Sequence, residues 1–249
     1  MTLVETEMNQ ANQNAAISTL AAAPQQRSRP VRLPRHLSIE LDSADSATST
    51  DRQRLESCIA RKFDQQYQAQ ISHFLPYLLS LNESEQLDAV VGIRLAGESE
   101  LFLESYLDSR VEQAISRVVR GPVDRSQVVE IGNLAAAVPG TASLLFAVLA
   151  VTLDRAGMRW VTCTATPQVQ TMLKKLGFST QAICSAEADA LGDNAGDWGE
   201  YYASRPKVIV GDTRLAAKIA SANPAVAMLV RKLAGPINKA AATLRAASK

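Results

Sequence analysis

The sequence predicts an α/β fold with a mixed central sheet flanked by helices, and three observations carry the prediction. Short apolar runs alternate with helical periods between residues 127 and 212. One helix, "TASLLFAVLAVTLDRAG", is apolar on nearly every side and so belongs inside the fold. Proline or glycine punctuates the junctions around it.

The elements follow in order. "HLSIEL" at 36–41 alternates as a strand, and the polar loop after it supplies Ser, Thr and Asp residues able to cap a helix. Between Arg52 and about Gln70, the residues Leu55, Ile59, Phe63 and Tyr67 recur every fourth position and form a core-facing stripe. "HFLPYLLSL" and "LDAVVGIRLA" read as a hairpin joined by "NESEQ". Pro76 assigns the first of these strands to a sheet edge, because proline cannot donate to a ladder.

"ELFLESYL" reads as a short strand or extended turn, and Asp108 or Ser109 can cap the helix in "DSRVEQAISRVV". A strand from about Gln127 to Ala135 turns at Pro139 and Gly140 into the apolar helix, which Gly157 ends. "MRWVTCTAT" is a strand, "PQVQTMLKKLG" a helix between Pro167 and Gly177, and "FSTQAICS" a further strand. The loop "EADALGDNAGDWGEYYASRP" leads to a last strand, "KVIVG".

Three segments result. Residues 1–35, rich in Ala, Gln, Asn, Ser and Pro, form a flexible arm; residues 36–212 form the α/β domain; residues 213–249 form a basic, amphipathic helical tail. The tail carries seven Lys or Arg and no acidic residue, although the whole chain balances 26 basic against 25 acidic residues. The whole-molecule balance gives no argument for nucleic acid. The tail itself suits an acidic partner, peripheral contact with a membrane surface, or simply a solvated face.

Cys58, Cys163 and Cys184 are widely spaced, with neither a CxxC pair nor a histidine cluster, which points to reduced thiols and away from a disulfide framework or a metal site. The start of the chain has no signal-peptide run, and no window approaches the ~20 apolar residues of a membrane helix. The expected location is cytoplasmic.

The chemistry concentrates in "VVEIGNLAAAVPGTASLL". A strand that passes through small residues into a helix presents free backbone N–H groups and a positive dipole end, which suits a phosphate and equally suits close packing. This run, with "WVTCTATPQVQTMLKKLGF", resembles the centre of the GCN5-related N-acetyltransferase (GNAT) superfamily. There a strand of the type E-I-x-x-L-A-V precedes a pyrophosphate loop and a later helix ends in G-F. With "FLPYLLSL" and "GIRLAGESELFLESYLDSRVEQAI", the chain is similar to the thermostable hemolysin family, whose fold resembles the acyl-homoserine-lactone autoinducer synthases. The resemblance spans roughly 37–212, and its specific part lies at 128–178.

The resemblance implies an N-acyltransferase that moves a fatty acyl group from an acyl-carrier-protein (ACP) or CoA thioester to the amine of a small molecule such as an amino acid, without a metal. It departs from ordinary acetyltransferases in four places: Gly140 is the one glycine of the loop, the arginine normally ahead of the loop is absent, Thr166 stands where many have Asn, and Leu173 stands where many have the tyrosine acid. What remains is compatible with transfer of a larger acyl group from a thioester. In the synthases the central strand carries a Glu and an Arg three residues later; here Glu130 and Asn133 hold that spacing, and a β-bulge would turn both to one side.

Glu130 is the expected base, because an amine must shed a proton to attack a thioester and a buried carboxylate with a raised pKa can take it. The alternative is a carboxylate paired with Arg94 or another cation to fix the packing. Leu134, Ala135, Ala136, Gly140, Thr141, Ala142 and Ser143 are the expected donor cradle. The N–H groups of Leu134 and Ala135 serve either the thioester oxygen or the ordinary ladder. Arg94, Glu104, Tyr106 and Asn133 are the expected acceptor side, with Asp108 beside them; a solvated face is the alternative for Arg94, Glu104, Tyr106 and Asp108. Cys163 reads as a buried thiol. Two other readings remain at this stage, a membrane-active hemolysin and a catalytically silent acyl-binding domain.

Overall fold

The computed structural model describes residues 37–44, 50–84 and 86–248; the arm expected at 1–35 lies outside them. Seven strands form one sheet: β1 (Leu37–Ser43), β2 (Tyr77–Glu83), β3 (Gln86–Leu95), β4 (Val128–Ala136), β5 (Trp160–Ala165), β6 (Thr180–Ser185) and β7 (Lys207–Asp212), in the order β1-β2-β3-β4-β5-β7-β6. Neighbours are antiparallel except β4 and β5, which run parallel. A parallel pair needs a crossover, and the helix α3 (Thr141–Ala156) supplies it.

The mixed sheet flanked by helices is the expected class. Helix α1 (Thr50–Tyr67) lays Leu55, Ile59 and Phe63 on one face of the sheet. On that face α2 (Val111–Val119) buries Val111 and Ile115. The opposite face carries α3, ten of whose sixteen residues are buried, as its all-round apolar sequence requires. Helix α4 (Pro167–Lys175) follows β5, with proline at its first turn and the Thr166 hydroxyl accepting from Val169 N–H.

Several local expectations are corrected. Strand β2 is internal, between β1 and β3. Pro76 lies one residue before its start, where the missing N–H costs the ladder nothing. "FLESY" is a 3₁₀ turn, Phe102–Tyr106, and α2 begins after Arg110, without the Asp108 or Ser109 cap. Residues 213–247 do form helices, α5 (Thr213–Ala222), α6 (Pro224–Lys232) and α7 (Ala234–Ala247). They sink Ala217, Leu229, Val230, Ile237 and Leu244 into the same core as α3, because α3 is apolar on the side the sheet leaves open. The segment expected as a tail is thus a packed layer.

Candidate active site

The site forms where β4 leaves β5. Their ladder holds at Val128, Val129 and Glu130, paired with Trp160, Val161 and Thr162, and goes no further, although β4 continues to Ala136. On its other edge β4 carries the expected bulge: Ala135 faces Val90 and Gly132 faces Gly92, so Asn133 and Leu134 share Val91. Asn133 takes the left-handed conformation, φ 49°, which Asn tolerates better than most residues.

Gly92 and Gly132 form a patch without side chains, and Leu75 seats in it. A Cβ on Gly92 would come within 2.9 Å of the Leu75 Cβ. Leu75 N–H donates to Asn133 Oδ1 at 2.9 Å, while the buried Arg52 guanidinium donates to the carbonyls of Leu75 and Pro76 at 2.8 and 2.9 Å. The segment bearing His73, Phe74 and Leu75 is thereby fixed as one wall of a cavity of about 300 Å³.

The cavity passes through the sheet at the parting. Arg94, Glu130 and Thr164 line it from one face, and Ile131, Cys163, Phe146 and Met172 from the other. Of the twelve aromatic residues in the chain, nine line it: Phe63, Phe74, Phe102, Phe146, Tyr67, Tyr106, Tyr201, Tyr202 and Trp198. Trp198 packs 5.3 Å from both Phe102 and Tyr201, and Tyr106 and Tyr202 join their hydroxyls. Most of these rings come from the stripe of α1 and from the 3₁₀ segments Ala188–Trp198 and Tyr201–Ser204. The sequence reading treated the first as core and the second as a loop. The signal available was the cluster "DWGEYY" in a chain with only 5% aromatic residues.

Glu130 is 4% exposed, and its two oxygens accept from the N–H groups of Phe102 and Leu103 at 2.9 and 3.0 Å. Burial pushes its pKa from 4.5 up to about 7, although those two N–H groups and the Arg94 charge pull the other way. Arg94 is its register partner on β3. The pairing of these two residues is not made among the described residues, where the backbone of the 3₁₀ turn occupies the carboxylate and the Arg94 Nε has no hydrogen-bond partner. Such a carboxylate changes charge near neutrality, as an acid or base at that pH must.

The other expected residues separate. Arg94, Tyr106, Asn133, Leu134 and Ala136 line the cavity with Glu130. Ala135 lies opposite Val90 and is buried with α1. Gly140, at φ 89°, precedes α3, and Thr141 donates its hydroxyl to the Val138 carbonyl at 2.7 Å. The turn from Gly140 through Ser143 lies beyond the cavity lining, at the helix N-terminus whose first amides lack intrahelical partners.

Glu104 does not reach the site. Although burial opposes it, Arg125 and the N–H groups of Leu101 and Val111 hold its carboxyl down at about 2. Asp108 is exposed and paired with Arg117. The Cys163 thiol is pushed up to about 12 by burial and the neighbouring Glu130, which keeps it protonated. His73 and Lys62, far from Glu130 in sequence, also line the cavity. Among the described residues no cluster of His, Cys, Asp and Glu is arranged to hold a metal.

A family model described as thermostable hemolysin matches residues 46–217. Among solved structures, the acyl-homoserine-lactone (AHL) synthase LasI is 12% identical, with a TM-score of 0.50 over 74% of this chain and 94% of that one. The CoA-dependent acyl-homoserine lactone synthase BjaI, solved with SAM and isopentyl-CoA, is 10% identical, with a TM-score of 0.52 over 75% and 88%. At these identities the likeness is one of fold. No curated protein matches the chain.

Proposed function

We propose that this chain, which belongs to the thermostable hemolysin family, is an acyltransferase that moves an acyl group from a CoA or carrier-protein thioester to the amine of a small molecule. The observation that carries this reading is Glu130, a carboxylate with a pKa near 7, set where two parallel strands part into an aromatic cavity. Both similar proteins are, by name, acyl-homoserine lactone synthases, and one was solved with isopentyl-CoA, which supports the same class.

The parting of β4 and β5 offers room for the thioester; in this reading the backbone N–H of Leu134 in the bulge serves its carbonyl oxygen, and the N-terminus of α3, from Gly140 to Ser143, serves the phosphates of the donor. The amine gives a proton to Glu130, directly or through water, and its nitrogen attacks the carbonyl carbon. The carbon–nitrogen bond forms, the carbon–sulfur bond breaks, and the departing thiolate takes up the second proton that the nitrogen sheds as it becomes an amide. Positioning two reactants in a cavity closed by rings supplies much of the rate.

The membrane-active reading loses its main sequence support, because the apolar stripe of residues 213–247 is spent on α3 and the sheet. Among the described residues no helix is long and apolar enough to cross a membrane. The test is incubation with acyl-CoA or acyl-carrier thioesters and a panel of amines, followed by mass spectrometry. A new amide that is absent with Glu130→Gln is expected. Liposome lysis by protein free of acyl donor, without amide formation, would overturn the reading.

A further inference from the structure

Two buried side-chain atoms, the Nε of Arg94 and the Oγ1 of Thr164, have no hydrogen-bond partner among the described residues, and both residues line the same cavity. Buried polar groups are nearly always paired. Two unpaired ones at a single cavity mark the contacts of a ligand rather than independent faults of packing.

Their placement is ordered around Glu130. Arg94 is its register partner on β3, and Thr164 lies two residues beyond Thr162, its register partner on β5. By the alternation of strands all three side chains leave the same face of the sheet. Arg94 and Glu130 carry opposite charges on adjacent strands, yet the carboxylate is satisfied by the N–H groups of Phe102 and Leu103, which leaves the guanidinium without its anion. The Thr164 carbonyl is already taken by the Tyr201 hydroxyl at 2.9 Å, so only its side chain is free.

We infer that the acceptor binds as a zwitterionic α-amino acid, its carboxylate held by the Arg94 guanidinium and the Thr164 hydroxyl and its ammonium set against Glu130. This inference rests on the acyl-transfer reading for its role but not for its binding. A cation beside an anion, kept from pairing with each other, is the complement of an ammonium and a carboxylate one carbon apart. A plain amine would leave both unpaired atoms as they are, and a plain anion would be repelled by Glu130. Phe102, Tyr106, Trp198 and Tyr202 wall the space beyond, so the side chain of the acceptor is apolar or aromatic.

The test is calorimetric binding to the full chain at about pH 8, where Glu130 is ionised. The ligands are the free amino acids, each with and without a non-reactive acyl-CoA thioether, then the amide and the decarboxylated amine of the tightest binder. The free acid is expected to bind at least about tenfold more tightly than its amide or amine. Arg94→Gln is expected to bring the three within about threefold of one another, and Thr164→Val to weaken the acid alone. Equal binding of acid, amide and amine by the unaltered chain, or no saturable binding of any amino acid, would overturn the inference. That comparison decides even where Arg94→Gln does not fold. Amide formation with the decarboxylated amine as readily as with the acid would sink this inference and leave acyl transfer standing. Selective binding of the acid without any acyl transfer would do the reverse.

Discussion

Replacing Glu130 with Gln removes the charge at the centre of the cavity while keeping the size of the side chain. The unfolded chain gives up this proton near pH 4.5 and the folded chain near 7, because burial penalises the carboxylate. Between those values the native state holds more protons than the unfolded one, so this group makes stability fall as pH rises through the window. At 1.36 kcal/mol per pH unit the interval is worth on the order of 3 kcal/mol. The amide has its own cost, since its NH₂ confronts one of the two backbone donors, Phe102 or Leu103. That cost is about 1–2 kcal/mol.

Glu130→Gln is therefore expected to be about 1–2 kcal/mol less stable than the unaltered chain at about pH 5, and more stable by a similar amount at about pH 8.5. For a fold of this size that is a crossing of Tm curves by on the order of 3–6 °C each way. Thermal unfolding followed by circular dichroism across that range reads it. Parallel Tm curves would refute the reasoning, because they would mean that Glu130 titrates alike in both states. In the same variant acyl transfer is expected to fall by about 10²–10⁴-fold. In the unaltered chain kcat/KM for acyl transfer is expected to rise with pH through about 7, as Glu130 ionises.

Other perturbations read different parts of the argument. Asn133→Ala loses both the acceptor for Leu75 N–H and the residue suited to positive φ, and should cost about 2 kcal/mol in urea unfolding, with Asn133→Gly recovering part of it. Glu104 is held at about 2 when folded, so its contribution is present above about pH 4.5 and lost as pH falls toward 2. Glu104→Gln should flatten the acid limb of a stability–pH curve. A Cβ at Gly199, φ 49°, would overlap the carbonyls of Tyr67 and Gln68, so Gly199→Ala should displace the neighbouring Trp198, which its fluorescence reads, and lower Tm. Ile237→Ala, in α7, should cost about 2–5 kcal/mol, whereas a detached tail would tolerate it.

Residues with regular patterns around them were legible. The all-round apolar run of α3 and the proline and glycine at the ends of α4 each specify local geometry through rules that act within a few residues. Pro76 misled because its effect depends on whether it stands within a strand or just before it, a difference of one residue. Glu104 misled because an acidic residue beside an expected site looks the same whether it faces the cavity or Arg125, and Arg125 lies twenty-one residues away.

The sequence by itself determined the α/β class and the placing of the carboxylate within a strand, because periodicity and turn chemistry are local properties, whereas the bulge followed only from the family resemblance. Only the tertiary structure decided what surrounds that carboxylate. The parting of β4 from β5, nine rings gathered from distant segments, and the two unpaired atoms of Arg94 and Thr164 arise from contacts between elements that the linear order does not place together. The same holds for the C-terminal helices: their amphipathic pattern required a partner for the apolar face, and only packing identified α3 as that partner.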